Sequence, residues 1–118
     1  MKSLLFISLV FFCGTLLAQS NDSSEPGEKV IVDNDKIKVV EHISQPKGDV
    51  CGLGMHHHEP HLTIVLTDSK VRITPENGEP QDIEVKSGAS IWFDAAETHS
   101  VVNTGDQPTK MILVYLKE

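Results

Sequence analysis

Short runs of valine and isoleucine, separated by turn residues, constrain the fold of this chain more than any other feature of its sequence. From Lys29 onward, apolar positions alternate with polar ones or run continuously in short pieces. No stretch keeps the 3.6-residue period of an amphipathic helix over three turns. Alternation broken by closely spaced turn residues is typical of β-strands. The sequence therefore predicts an all-β domain.

The predicted strands can be placed from this pattern. They are Lys29–Asp33, Lys36–Ile43, Leu62–Thr67, Lys70–Thr74, Ile83–Val85, Ser90–Phe93, Ser100–Asn103 and Thr109–Lys117. The pair Asn77-Gly78, flanked by alternating apolar residues, indicates a hairpin. Only 5% of the residues are aromatic, so the core is expected to be slim. A closed barrel, which hides its strand edges, is favoured over an open sandwich.

The first 18 residues have the three-part pattern of a secretory signal peptide. Lys2 precedes an uncharged apolar stretch that ends near Phe12, and small residues lead to a polar tail after Ala18. The pattern predicts cleavage after Ala18 and export to the periplasm or out of the cell, with no membrane attachment afterwards. An uncleaved anchor is the alternative, but the apolar stretch is shorter than the roughly 20 residues of a spanning helix.

Residues 19–28 contain almost no apolar side chain and are expected to form a flexible linker. Residues 29–118 remain as one small domain. The formal net charge is −7. A surface that binds nucleic acid needs clustered lysine and arginine, so nucleic acid is not an expected partner. Small β-barrels often pair through their strand edges, so a homodimer is expected.

Cys51 is the only cysteine that remains after the predicted cleavage, so it has no partner for an intramolecular disulfide. A buried structural position is the simpler interpretation, and a functional role is the alternative. His42, in an early predicted strand, is interpreted as an ordinary half-buried residue.

Histidines are concentrated in the segment before the strand Leu62–Thr67. In an extended chain, His56 and His58 face the same way and His57 faces the opposite way, toward solvent or packing. Pro60 interrupts the strand and allows His61 to turn inward. Neutral imidazole suits Zn, Cu, Fe and Ni. The expected cofactor is a divalent transition metal, with Fe, Mn, Ni, Cu and Zn as the candidates. An exposed loop that binds metal only adventitiously is the alternative.

The sequence around His99 is similar to the second motif of the cupin family. That motif places Gly, Pro, Gly, His and Asn at fixed spacings, and Gly88, His99 and Asn103 match it. Asp94 and Ala96 stand where Pro and Gly are usual. Asn103 is expected to fix the backbone by hydrogen bonds.

The first cupin motif, His-x-His followed by Glu and a hydrophobic strand ending in Gly, resembles His56-x-His58 and the strand after it. His61 stands where Glu is usual, and Asp68 where Gly is usual. The resemblance covers roughly residues 50–117 and implies a double-stranded β-helix, the jelly-roll barrel of cupins. It also implies a metal held by His56, His58 and His99, with His61 as a fourth ligand or a neighbour at the rim.

Four further residues lie near these motifs. Glu59 and Glu97 could orient a ligand or act as an acid or base, although solvated positions are the simpler interpretation. Trp92 and Phe93 face opposite ways, so one should line the barrel and the other cover its outside.

Three functions are compatible with this pattern. The first is a metal-dependent oxygenase, or a related non-haem enzyme, that acts on a small molecule in the barrel mouth. The second is a non-catalytic protein that binds a metal or a small ligand, which a closed four-histidine site would favour. The third, a structural domain with an adventitious histidine cluster, leaves the position of His99 unexplained. Whether the chain is an enzyme stays open at this stage.

Overall fold

The computed structural model describes residues 25–118, and within that range the chain forms nine β-strands. They are β1 (Gly27–Asp33), β2 (Ile37–Ser44), β3 (His56–His58), β4 (His61–Val65), β5 (Ser69–Pro75), β6 (Gln81–Val85), β7 (Ser90–Phe93), β8 (Glu97–Asn103) and β9 (Thr109–Leu116). The predicted signal peptide and residues 19–24 of the expected linker lie outside the described residues. Strand β1 begins at Gly27, two residues before the predicted strand. In the described range no helix is long and apolar enough to cross a membrane.

The strands form two antiparallel sheets. The five-stranded sheet has the order β1-β2-β9-β4-β7, and the four-stranded sheet has the order β3-β8-β5-β6. Side chains from both sheets and from the segment before β3 build the main cluster of the buried core, which consists of Val50, Val71, Val101, Met111 and Leu113. The predicted all-β class is confirmed, and the small size of these residues agrees with the slim core expected from the sequence.

The hairpin predicted at Asn77-Gly78 joins β5 to β6. The two strands are antiparallel, with Ile73 opposite Gln81. Neither Asn77 nor Gly78 has a positive φ, so the connection is a longer loop and not the two-residue turn that this pair often forms.

Asn103 fixes the backbone at the end of β8, as the sequence predicted. Its side chain is completely buried. Its Nδ2 donates to the carbonyl oxygens of Gln107 (2.8 Å) and Ser44 (3.4 Å), and its Oδ1 accepts from the N–H of Gly105 (3.0 Å). The amide thus ties β8 to the end of β2 and to the turn that leads into β9.

Candidate metal centre

Three histidines meet where β3 pairs with β8. His56 lies directly opposite His99 in the antiparallel register. His58, two residues after His56, faces the same side of the sheet. The ring centroids are 4.7 Å apart for His56 and His58, 4.8 Å for His56 and His99, and 5.4 Å for His58 and His99. The structure therefore brings together three of the four predicted ligands; below, these three are called the histidine triad.

His57 faces away from the triad, as predicted from strand parity. Its side chain is exposed, its Nδ1 lies 2.9 Å from Thr98 Oγ1, and its Nε2 lies 3.2 Å from Glu59 Oε1. The exposed carboxylate of Glu59 consequently lies on the outer surface and contacts His57 instead of the candidate site.

The ring orientations of His56 and His99 are fixed through their Nδ1 atoms. His56 Nδ1–H donates to the carbonyl oxygen of Gly54 at 2.9 Å. His99 Nδ1 lies 3.3 Å from the Glu97 carboxylate. An acceptor at Nδ1 selects the tautomer whose Nε2 carries a lone pair, which is how proteins commonly orient metal-binding histidines. Glu97 was predicted to be a solvated residue, with an orienting group or an acid-base group as the alternatives, and the geometry fits a group that orients a ligand.

The other sheet orients His58. Tyr115, on β9, places its hydroxyl oxygen 2.7 Å from His58 Nδ1. Burial raises the pKa of Tyr115 to about 12, so the phenol keeps its proton at neutral pH. Tyr115 could not be predicted from the sequence, because nothing in the sequence of a strand specifies which side chain of the facing sheet it will contact.

The Nε2 atoms of His58 and His99 are buried and have no hydrogen-bond partner. The two side chains are among the most buried polar groups of the described residues, at 6% and 7% exposure. Leaving a buried polar atom unsatisfied costs about 1–3 kcal/mol. A metal ion bound by both atoms would remove this cost, so the residues present fit a bound metal.

Two of the three histidines are also in the protonation state that metal binding requires. Burial lowers the pKa of His58 to about 3. Burial lowers the pKa of His99 as well, and the neighbouring Glu97 opposes that effect only in part. Both imidazoles are therefore neutral near pH 7, and neutral imidazole is the form that donates a lone pair to a metal.

Cys51 lies beside the triad. Residues 48–50 run along β8, where the N–H of Val50 donates to the carbonyl oxygen of Val101 at 2.8 Å. The chain then leaves the sheet at Cys51, and its Sγ lies 3.5 Å from His56 Nε2. One donor atom from each of Cys51, His56, His58 and His99 lies within 4.8 Å of the others. Cys51 is thus part of the candidate site, and the simpler expectation of a purely structural cysteine misses that placement.

The Cys51 thiol carries its proton at neutral pH. Burial raises the pKa of the Cys51 thiol to about 12, with a further contribution from Glu97. Because His56 Nδ1–H is already a donor to Gly54, the thiol S–H donates to His56 Nε2. The only hint of this contact in the sequence is the position of Cys51 five residues before the histidine cluster.

His61 turns inward, as the break at Pro60 predicted, and is only 3% exposed. Its Nδ1–H donates to the carbonyl oxygen of Glu59 at 2.7 Å. Its ring stacks on Phe93, with centroids 5.0 Å apart, and lies 5.0 Å from the ring of His58. His61 is not a member of the four-residue group whose donor atoms converge within 4.8 Å. It therefore lies next to the candidate site, on the facing sheet.

Trp92 and Phe93 divide between the two faces of β7 as expected. Phe93 is half-buried against His61, whereas Trp92 is 52% exposed. Phe93 thus lines the barrel interior beside the histidines.

A cavity of about 370 Å³ opens next to the triad. Its wall includes His42, Cys51, His56, His58 and Tyr115. His42 is 6% exposed, and burial lowers its pKa. The expectation of an ordinary half-buried His42 is therefore corrected, since its side chain is buried and borders the cavity.

Comparisons with known proteins place the fold. A sequence model described as Cupin domain matches residues 41–115, which is well over half of the chain. A search of curated proteins found no significant match.

Several solved structures are similar to this one. A cupin domain protein from Bordetella pertussis Tohama I is 23% identical, with a TM-score of 0.70 over 79% of this chain and 96% of that chain. An RmlC-like cupin from Methanocaldococcus jannaschii is 11% identical, with a TM-score of 0.61 over 83% and 85%. The polyketide cyclase RemF from Streptomyces resistomycificus is 25% identical, with a TM-score of 0.59 over 80% and 70%. These similarities confirm the predicted double-stranded β-helix.

Proposed function

We propose that this chain, which belongs to the cupin domain family, is an exported protein that binds one divalent transition metal ion through His56, His58 and His99. The single observation that supports this most is the pair of buried Nε2 atoms, on His58 and His99, that lack a hydrogen-bond partner. Both atoms belong to rings that lie within 5.4 Å of each other and within 4.8 Å of the His56 ring. Three imidazoles held in this way suit Fe, Ni, Cu or Zn, and Mn is the fifth candidate ion.

The surroundings of the triad support a built site in preference to an adventitious cluster. Each of the three rings has its Nδ1 engaged by a different group: the Gly54 carbonyl, the Tyr115 hydroxyl and the Glu97 carboxylate. In an exposed histidine-rich loop, the three rings are not expected to be held by contacts with three separate groups. The export part of the proposal rests on the pattern of residues 1–18.

Metal content is the direct test of this function. The chain without residues 1–18, purified without a polyhistidine tag, should hold about one metal ion per molecule when measured by elemental analysis. His99→Ala should release the ion, whereas His57→Ala, on the opposite face of the same strand, should keep it. If the protein stays metal-free in the presence of all five ions, the proposed function is wrong.

A second candidate function is a metal-dependent oxygenase that acts on a small molecule. The cavity of about 370 Å³ beside the triad favours it, because small-molecule sites commonly have volumes of this order. A bound redox-active ion would supply a position where substrate and dioxygen can meet. The residues that line the cavity would hold the substrate beside the ion. RemF, one of the similar proteins, is named as a polyketide cyclase, so a related barrel is named as an enzyme.

Oxygen uptake separates the two candidates. The iron-loaded protein would be offered thiols, diketones, catechols and flavonols, and oxygen consumption would be followed in each case. Turnover with any of these that is abolished by His99→Ala would establish the enzyme. Tight metal retention without oxygen uptake would favour the binding protein.

A further inference from the structure

We infer that Cys51 supplies the fourth ligand of the proposed ion, so that the site is a three-nitrogen, one-sulfur centre selective for thiophilic metals such as zinc or copper. This inference rests on the proposed function, since it assumes that the triad binds a metal. It adds the identity of the fourth donor and the class of ion that the site prefers.

The backbone holds Cys51 at the triad. Residues 48–50 and β3 lie along the same strand, β8: the N–H of Asn103 donates to the Gly48 carbonyl oxygen at 3.0 Å, and His99 lies opposite His56. The chain between them, residues 51–55, loops out of the sheet edge. Cys51 stands at the start of this loop with a φ of 56°. A non-glycine residue in the left-handed region is uncommon and costs energy, and such residues cluster at functional sites.

The loop is shaped to bring the sulfur close. Cys51 Sγ lies 3.5 Å from His56 Nε2, the atom that the Gly54 carbonyl leaves free by engaging Nδ1. The tip of the loop contributes nothing to the core, because Leu53 is 86% exposed. The loop therefore places Cys51 beside the triad while the apolar side chain of Leu53 stays exposed.

An independent observation indicates a ligand at this point. His58 Nε2 and His99 Nε2 are buried without a partner, on side chains that are more than nine-tenths buried. Both residues belong to the group whose donor atoms lie within 4.8 Å of Cys51 Sγ and of one another. Four donors at such separations can move onto one ion with small side-chain adjustments, because tetrahedral Zn–N and Zn–S bonds are about 2.0–2.3 Å long.

The donor set determines which metals fit. Imidazole nitrogen and thiolate sulfur are the donor atoms of closed tetrahedral zinc sites, and thiolate also selects copper over manganese or magnesium. A bound divalent cation deprotonates a coordinating thiol. With four protein donors the coordination shell is complete, which favours capture of the ion over its use in catalysis.

His61 is the competing fourth ligand. Its ring lies 5.0 Å from that of His58, but it stacks on Phe93 and lies outside the converging group. The two candidates offer different atoms, nitrogen or sulfur, and this difference makes them distinguishable by spectroscopy.

The test uses the chain without residues 1–18, loaded with zinc and examined by X-ray absorption. The expected spectrum contains one sulfur neighbour at about 2.3 Å together with nitrogen neighbours at about 2.0–2.1 Å. The cobalt-loaded protein should show a thiolate-to-metal charge-transfer band that is lost in Cys51→Ser and retained in His61→Ala. Zinc affinity should fall at least about ten-fold in Cys51→Ser, since even removal of a group that only orients a ligand costs about that much.

The outcomes separate the inference from the function on which it rests. Wild-type protein that binds one zinc but shows only nitrogen or oxygen neighbours overturns the role of Cys51 and leaves the triad intact. Cys51→Ser with unchanged zinc affinity overturns it as well, and the side chains are close enough in size that a folding defect is not expected. Wild-type protein that binds iron, manganese or nickel but neither zinc nor copper overturns the inference and leaves the proposed function standing. Protein that binds none of the five ions overturns both.

Discussion

His56 and His99 are register partners on β3 and β8, so two residues 43 positions apart in sequence lie side by side on adjacent strands. Their ring centroids are 4.8 Å apart, and each ring has its Nδ1 occupied by an oxygen acceptor. This pairing defines the candidate metal centre, because the alternation of β3 then adds His58 on the same face.

Glu97 should tune the affinity of the site for metal. Its carboxylate lies 3.3 Å from His99 Nδ1, where it fixes the ring and makes Nε2 a better donor. Glu97→Gln should lower zinc affinity about 10–100-fold in a competition titration. Glu59→Gln is the matched control, because Glu59 contacts the outward-facing His57. Equal affinity losses in the two variants would contradict the assigned role.

Gly52 should be required for the position of His56. A Cβ at this residue would lie 2.6 Å from His56 Cγ, and the φ of 155° is itself unfavourable for other residues. Gly52→Ala should displace the ring and lower zinc affinity about ten-fold or more. Zinc titration of the folded variant measures this loss of affinity.

Gly88→Ala provides the control for backbone strain. Gly88 has a φ of 91°, but a Cβ there meets nothing within 4 Å. Gly88→Ala should lose about 1–2 kcal/mol of unfolding free energy from the strain of alanine at a positive φ, and Gly52→Ala should lose at least as much. Only Gly52→Ala should lose metal affinity. A Gly52→Ala protein with wild-type zinc affinity would show that His56 is not held by this contact.

Asn103 should matter for stability and not for metal binding. Asn103→Ala leaves the Gly105 N–H and the Gln107 carbonyl without their buried partner, at a cost of about 2–4 kcal/mol. Urea denaturation should show this loss. Asn34→Ala, which removes an exposed turn acceptor, should cost less than about 1 kcal/mol because water can replace the side chain. Similar costs for both would argue against the buried network.

The metal-free protein should lose stability as the pH falls below about 6.5. Burial lowers the pKa of His58 from 6.5 to about 3, so the unfolded chain binds a proton in this window that the folded chain does not. The unfolding free energy therefore decreases with falling pH, by about 1–2 kcal/mol for this residue between pH 6.5 and about pH 5. His42 and His99, whose pKa values are also lowered by burial, act in the same direction.

The control for this pH dependence is a pair of glutamine variants. His58→Gln removes a buried titrating group and should flatten the dependence of the urea midpoint on pH in this range. His57→Gln, at an exposed position, should leave the slope as in the wild type. A flat profile in the wild-type protein would show that these histidines are not held neutral.

Much of the fold could be predicted from the sequence, because strand periodicity and turn residues are local properties. The predicted strand at the end of the chain, Thr109–Lys117, corresponds to β9 over Thr109–Leu116. The shared face of His56 and His58, the outward face of His57 and the anchoring role of Asn103 follow from alternation and hydrogen-bonding chemistry in the same way.

The remainder of the site depends on contacts between segments that no local pattern specifies. Cys51 reaches the triad through a loop with left-handed backbone at Cys51 and Gly54. Such a loop has no periodic sequence pattern from which its shape could be predicted. Tyr115 meets His58 across the two sheets. The family resemblance indicated His61 as the fourth ligand, because it stands at the position of the usual carboxylate, but it could not show that a cysteine lies closer to the triad.

The most direct test of the histidine triad is a zinc titration of the metal-free protein, followed by the nitrogen chemical shifts of its histidine side chains. At one equivalent of zinc, the Nε2 signals of His56, His58 and His99 should shift together and then stay constant, while those of His57 do not move. Signals of the triad that stay unchanged at one equivalent, or a response led by His57, would contradict the account.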